Sequence, residues 1–334
     1  MTVVIVVSGL GDLGSIITEA LYERNKHEMY IMTRKALTSP LTGKQYNPII
    51  QSDYTENSLL QQLTGTKASV RSPCTHRFIP SEFSIEYDVV DNNILPFEKR
   101  AHLAARNELE NRTRTLKYTY IYPGMCMDHF GTPRGPSHVR PLLLFTDPAN
   151  GVAILPGDGE AKMGMCFSTD TARYVALALD MAPGTWARVM TTVTSTVNLN
   201  ELVGLIEKGL GRKLAVRYQP VERYLKTQKQ NWNNRVQIVS HDIDEASTLA
   251  DLPGNVDIAK NHPERFPDGI SQLRAFVAEL EGAVALGAYD HSALVKNGGR
   301  GTGCLDLVRM FEGREDVPTP KRIEEFMIEV WREA

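Results

Sequence analysis

Cysteine is scarce in this 334-residue chain: Cys74, Cys126, Cys166 and Cys304 stand far apart, with no CxxC spacing. That excludes a disulfide framework and a cysteine-based zinc site, and it suits a compartment where thiols stay reduced. The eight histidines show no HxxxH or related spacing, so no metal is expected. No apolar run reaches transmembrane length. The opening apolar run is too short for the core of a signal peptide, and no basic stretch precedes it. Charge of one sign is also missing. The formal net charge is −3, which gives no footprint for nucleic acid or an anionic membrane. The expectation is a cytoplasmic protein with neither partner. An apolar fraction of 42% with 23% charged residues is that of an ordinary globular chain. The length allows one large domain or a domain with a substantial appendage, and a sizeable core.

What is present is most telling at the amino terminus. Val3-Val4-Ile5-Val6-Val7 runs into Ser8-Gly9-Leu10-Gly11-Asp12-Leu13-Gly14, and a helical pattern from Asp12 to Arg24 leaves it. A β-branched strand, a glycine turn and a helix start form the part of a βαβ unit that holds a dinucleotide. Glycine lets the pyrophosphate approach the main chain, and the helix N-terminus offers N–H groups and partial positive charge. The same turn can also join strand to helix and bind nothing, but the flanking strand and helix favour the nucleotide site. Gly9, Gly11, Asp12, Leu13 and Gly14 are the candidate residues.

Further strands are expected at 29–33, 47–52, 77–80 and 117–122, with helices at 57–63 and 97–112. Alternation of this kind implies an α/β fold with a Rossmann-like, doubly wound parallel sheet. Between Leu63 and Arg77 the chain is polar and turn-rich, so one βα unit is missing near residues 64–76. Residues 131–150 read as a loop. Two short strands, 152–155 and 163–167, flank the Pro156-Gly157-Asp158-Gly159 turn. Thr169 or Asp170 caps a helix to about Asp180, and Asn198 or Asn200 caps another that ends at Gly209 or Gly211. Residues 220–300 give mixed signals, and Pro320 to Trp331 forms a terminal helix. The reading is a dinucleotide-binding domain over 1–150 and a smaller α+β substrate region over 151–334, partly interleaved with the first.

Cofactor choice is set at the end of the second strand, where an acidic residue takes the ribose hydroxyls of NAD. Here Thr33-Arg34-Lys35 stands instead, and Arg34 and Lys35 suit a 2′-phosphate by charge and hydrogen bonding. NADP(H) is the expected cofactor. Asp53 either accepts a hydrogen bond from the adenine amino group or caps a turn. Ser81 and Glu82 follow a strand's C-terminal end, where open α/β sheets bind ligands, and Pro80 and Ser81 are cofactor-binding candidates there.

The glycine turn, Thr33-Arg34-Lys35, Arg77-Phe78-Ile79-Pro80-Ser81-Glu82-Phe83 and Lys117-Tyr118-Thr119-Tyr120-Ile121-Tyr122-Pro123-Gly124-Met125 together resemble the NmrA-like, isoflavone-reductase-like family of atypical short-chain dehydrogenases. Pro263-Glu264-Arg265-Phe266-Pro267 and Pro320-Lys321-Arg322-Ile323 are similar to its fungal members. The resemblance implies a Rossmann-like domain, a smaller substrate region and NADP(H). Three features depart from the family. Ser8 replaces its first glycine, the unit near 64–76 is absent, and the catalytic lysine is displaced. In Phe97-Glu98-Lys99-Arg100, Lys99 stands one position early and Arg100 takes the family spacing. A "KRAHLAAR"-like run in fungal relatives assigns the role to Lys99, as the group that gives or takes a proton beside hydride transfer. A solvated lysine in the helix's first turn is the competing reading.

The Tyr-x-x-x-Lys motif of ordinary short-chain dehydrogenases is absent, and Tyr118, Tyr120 and Tyr122 read as sheet residues. His102 is a proton relay or a surface residue. Met125, His129 and Phe167 are candidates to face substrate. The leading reading is an NADP(H)-dependent oxidoreductase reducing a small aromatic or polyketide-like secondary metabolite. Its rivals are a dinucleotide-sensing regulator with a protein partner, and a non-redox enzyme on the same fold. A homodimer is left open.

Overall fold

The computed structural model describes residues 2–7, 11–33, 49–51, 77–87, 102–103, 105–107, 109–110, 116–182, 184–220, 249–263, 266–292 and 303–332. The chain opens with β1 (Thr2–Val7), α1 (Asp12–Arg24), β2 (His27–Thr33) and β3 (Ile49–Gln51). β1 pairs in parallel with β2, Thr2 opposite His27 and Val7 opposite Met32, and β2 pairs in parallel with β3. This is the expected βαβ unit. α1 stops at Asn25, whose left-handed backbone (φ 48°) is one that asparagine tolerates.

β4 (Arg77–Phe78) lies parallel to β5 (Lys117–Tyr118). The run 117–122, expected as one strand, is two. Beyond Thr119, β6 (Tyr120–Tyr122) takes its partner on the other side. The switch is marked by Thr119 N donating to Phe78 O at 3.2 Å and Tyr120 N to Arg188 O at 3.0 Å. This is how a central strand with neighbours on both sides behaves. Among the described residues β4 pairs with β5, and no ladder joins it to β1. The helix expected at 57–63 and the shortened stretch 64–76 lie outside the described residues.

Downstream come β7 (Met125–Cys126), α2 (Asp128–Gly131), β8 (Thr146–Asp147), β9 (Val152–Pro156), β10 (Lys162–Cys166) and α3 (Ser168–Asp180). They are followed by β11 (Val189–Thr191), β12 (Ser195–Asn198), α4 (Leu199–Leu210) and β13 (Ala215–Gln219). The described chain closes with α5 (Pro253–Asn261), α6 (Ile270–Ala285), β14 (Cys304–Asp306), α7 (Leu307–Phe311) and α8 (Ile323–Trp331).

β6, β11 and β14 form a parallel ladder, so residues 189–191 and 304–306 belong with the strands of the first 150. A shared helix layer covers both ladders. Ile16, Ile17 and Leu21 of α1 pack with Ala172 and Val175 of α3, Met29 of β2, Ile121 of β6, Met190 of β11 and Phe311 of α7. Burial of each large aliphatic side chain there stabilises by about 1.5–3 kcal/mol. At the layer's far end Asp180 accepts from Arg24 Nε (2.9 Å) and contacts His27 Nε2 (3.0 Å). Burial opposes its charge, but hydrogen bonds and charge from Arg24 and Lys26 hold its carboxyl below the usual range.

The second core is larger and lies around α4, α6 and α8, with Phe130, Leu202, Ile206, Phe326 and Trp331 buried. α4 has the expected caps. Asn198 accepts from Glu201 N at 2.7 Å, Glu201 returns the contact at 2.8 Å, and Gly211 ends the helix at φ 68°. Both strands flanking the 156–159 turn are present, and each pairs elsewhere: β9 with β13 and β8, and β10 with β12 and β7. One boundary needs correction. The terminal helix begins at Ile323 rather than Pro320. Lys321 N is held by Asp170 (2.7 Å) and Ile323 N by Ser195 Oγ (3.0 Å), contacts that keep the preceding residues out of the helix.

Candidate functional site

Gly11 is the N-cap of α1, with φ −76° and ψ −172°, and no side chain caps the helix. A β-carbon built on Gly11 would meet nothing within 4 Å. Uncapped first-turn N–H groups beside open space are what an anionic ligand fits. Asp12 begins the helix and pairs with Arg140. Leu13 is half-buried against the helix layer, and the Gly14 carbonyl accepts from Thr18 Oγ1 at 2.7 Å. Gly9, Arg34, Lys35, Asp53 and Lys99 lie outside the described residues.

At the C-terminal end of β4, Pro80 is buried and Ser81 exposed, and Glu82 N donates to Pro80 O at 2.8 Å. Glu82 then turns inward to a buried polar network. Arg106 donates from Nε to Glu82 (3.0 Å), from Nη1 to Glu86 (2.7 Å) and from Nη2 to the Tyr122 hydroxyl (2.5 Å). Tyr122 donates onward to Glu82 at 3.1 Å. Burial works against the Arg106 charge, but the hydrogen bond to Glu82 and the charges of Glu86 and Glu82 raise its pKa instead. Burial, then the charge of Glu86, lifts the Tyr122 phenol far above its ordinary range, so it stays protonated. The network ties β4's exit, β6 and the helical residues 102–110 together. His102 lies at its rim, stacked on Tyr87 with ring centroids 4.8 Å apart, its Nδ1 3.8 Å from Glu82 Oε2.

The three substrate candidates fall close together along the chain's return through β7 and β10. Met125 pairs with Met165 across these strands, and His129 is half-buried in α2. Phe167 is the N-cap of α3 and packs on Phe326 at 5.0 Å. Met125 and Phe167 are core residues. The buried Asp128 joins the segments, accepting from Ser168 N (2.9 Å), Ser168 Oγ (2.5 Å) and His138 N (3.3 Å). It thereby supplies the cap expected from Thr169 or Asp170, and Asp170 instead binds Arg173 and Lys321 N. Burial pushes the Cys166 thiol up to about 12 and Cys126 higher still, so neither is a ready nucleophile. A polar cavity of about 470 Å³ lined by Val193, Thr194, Ser195, Thr196, Arg322 and Glu324 contains none of the candidate residues.

Arg106, Asp128 and Arg140 were not evident from sequence. Each acts through a partner at least ten residues away, and no local spacing marks such a pair. Glu82 carried the one signal, a carboxylate placed just beyond a strand's end.

These features define a mixed α/β protein of Rossmann type with parallel strands, in which no described side chain caps the start of α1. The NmrA-like family model matches residues 48–245, and the chain belongs to that family. It is similar to "Oxidoreductase swnN" of Metarhizium robertsii, 24% identical over 66% of this chain and 77% of that protein. It is also similar to "Isoflavone reductase homolog P3" of Arabidopsis thaliana, 26% identical over 67% of this chain and 80% of the relative. Among solved structures, an isoflavone reductase superposes with a TM-score of 0.59 at 17% identity, covering 97% of this chain and 98% of that one. Leucoanthocyanidin reductase from Vitis vinifera, solved as a binary complex with NADPH, matches at 0.57 and 16% identity, covering 98% of both chains. These structural matches establish the fold. Among the described residues no helix is long and apolar enough to cross a membrane.

Proposed function

We propose that this chain is an NADP(H)-dependent reductase of a small aromatic or polyketide-like metabolite. The observation that carries the reading is the open, uncapped start of α1 at Gly11, in an NmrA-like chain whose fold matches that of a leucoanthocyanidin reductase solved with NADPH. The first turn of α1 would hold the pyrophosphate, Arg34 and Lys35 the 2′-phosphate, and Asp53 the adenine. Pro80 and Ser81 would lie beside the nicotinamide end, at the rim of a rigid buried network. When bound, NADP(H) supplies the hydride. Lys99 would exchange the proton at the reacting oxygen, and Met125, His129 and Phe167 would bound the substrate.

The test is a thermal-shift titration with NADPH, NADP⁺, NADH and NAD⁺, followed by NADPH consumption with a panel of aromatic enones and ketones. A ligand that binds only the folded chain raises its apparent stability. NADPH should stabilise more than NADH, and Arg34→Ala should weaken NADPH far more than NADH. Binding without consumption across the panel would favour the dinucleotide-sensing regulator. No stabilisation by any of the four nucleotides would remove both readings.

A further inference from the structure

Asp12 poses a problem for the site just described. A carboxylate in the first turn stabilises an empty helix. Beside a pyrophosphate it would repel the ligand and compete for the same N–H groups. The structure shows what the carboxylate does instead. Arg140 Nε lies 3.1 Å from both Asp12 oxygens, and the Arg140 main-chain N donates to Oδ2 at 3.1 Å. Asp12 makes no capping bond to its own helix. Both of its oxygens are therefore engaged by a residue 128 positions away, and no described side chain caps the start of the helix.

Arg140 is held in place from behind. His138 N is fixed by the buried Asp128 carboxylate, and Val139 and Leu142 on either side are buried. The Arg140 side chain is 65% exposed, and its two terminal nitrogens have no hydrogen-bond partner among the described residues. A guanidinium can hold a carboxylate through one edge and present the remaining donors to a second anion.

We infer that Arg140 is a cofactor-binding residue. It neutralises Asp12 at the start of α1 and presents its free guanidinium nitrogens to the pyrophosphate of the dinucleotide. This rests on the reading that a dinucleotide binds at Gly11, and it adds a residue from the 131–145 segment that the glycine-turn motif does not contain.

The experiment is a double-mutant cycle on NADPH affinity, read by fluorescence titration of the purified full chain. The variants are Arg140→Ala, Asp12→Asn and the pair combined. Arg140→Ala should weaken NADPH about tenfold, because it removes a charge-assisted contact and leaves a bare carboxylate beside the phosphates. In the Arg140→Ala background, adding Asp12→Asn should recover part of the loss because it removes the bare carboxylate, and a double variant that recovers nothing would overturn the neutralising role. The Arg140→Ala loss should shrink as salt is raised. Reduced nicotinamide mononucleotide, which lacks the pyrophosphate, should be much less affected by Arg140→Ala. The melting temperature of each variant guards against an effect on folding, and Arg140→Lys, which keeps the charge without the fork, should fall between wild type and Arg140→Ala. An Arg140→Ala variant that binds NADPH within twofold of wild type overturns the inference alone. A wild type that binds no NADPH overturns the underlying reading with it.

Discussion

Arg106 and Glu82, 24 residues apart in sequence, meet in an ion pair whose side chains are 3% and 1% exposed, with Glu86 on the guanidinium's other edge. Two buried carboxylates thus share one buried cation. Removing the cation leaves both charges without it in a dry site. Arg106→Met should cost about 3–5 kcal/mol of stability in urea denaturation. Glu82→Gln, which keeps the shape and removes one charge, should cost less. A loss below about 1 kcal/mol for Arg106→Met would mean that the pair is solvated in solution.

Gly124 follows β6 with φ 72°, and a β-carbon there would meet the Gly164 carbonyl oxygen at 2.1 Å and its carbon at 2.6 Å. Both contacts are with backbone, so nothing flexible can move aside. Strain from the left-handed conformation adds about 1–2 kcal/mol. Gly124→Ala should destabilise by at least about 2 kcal/mol and spread the β7–β10 pairing of Met125 with Met165. A melting temperature equal to wild type would contradict this close approach.

The parts of this fold that were legible in sequence are those written locally. The β-branched run and helical spacing around Gly11 predict β1 and α1, and Asn198 and Gly211 predict both ends of α4. The parts that were not legible are choices between partners. The 117–122 run could not reveal that its ladder changes sides at Thr119. The two strands flanking the 156–159 turn could be read locally, but not that β9 pairs with β13 and β8 while β10 pairs with β12 and β7. Asp170 had the composition of a cap, but Asp128, 40 residues upstream of Ser168, reaches the helix start first. For the site, the glycines and the carboxylate after β4 stood out, whereas Arg106 and Arg140 carry meaning only through what they touch.

Asp180 links acidity to the joint between α1 and α3. Its folded pKa is depressed, so its contribution is fully present above the unfolded value, about 3.9, and is lost as pH falls through the folded value. Asp180→Asn should therefore destabilise near neutral pH, by about 1.5–3 kcal/mol for lost charge-assisted hydrogen bonds. Its deficit relative to wild type should shrink below pH about 4, as wild type loses the same interaction. Melting curves across that range would read this directly. A deficit that stays constant with pH would show that the carboxylate's charge is not what matters.

Gly11→Val separates folding from binding. The residue's φ is negative and the space around its β-carbon is empty, so the fold should accept the side chain with little change in melting temperature. The space it would fill is where the pyrophosphate should lie. NADPH stabilisation should be abolished. A variant that still binds NADPH as wild type does would place the cofactor elsewhere.

Lys99 provides the test of chemistry. The helix expected from sequence at 97–112 follows β4 in the chain, so Lys99 is expected at the same sheet edge as Ser81 and the glycine turn. The phosphates and adenine are assigned to other residues, so Lys99→Ala should leave NADPH affinity nearly intact. Turnover should fall by about 10²–10⁴-fold, the usual contribution of a general acid–base group. Arg100 stands at the spacing where the family keeps its lysine, so Arg100→Ala is the matched comparison. If Lys99→Ala is silent and Arg100→Ala is not, the proton role belongs to position 100. If both are silent while wild type turns over, His102 at the rim of the Glu82 network is the next group to replace.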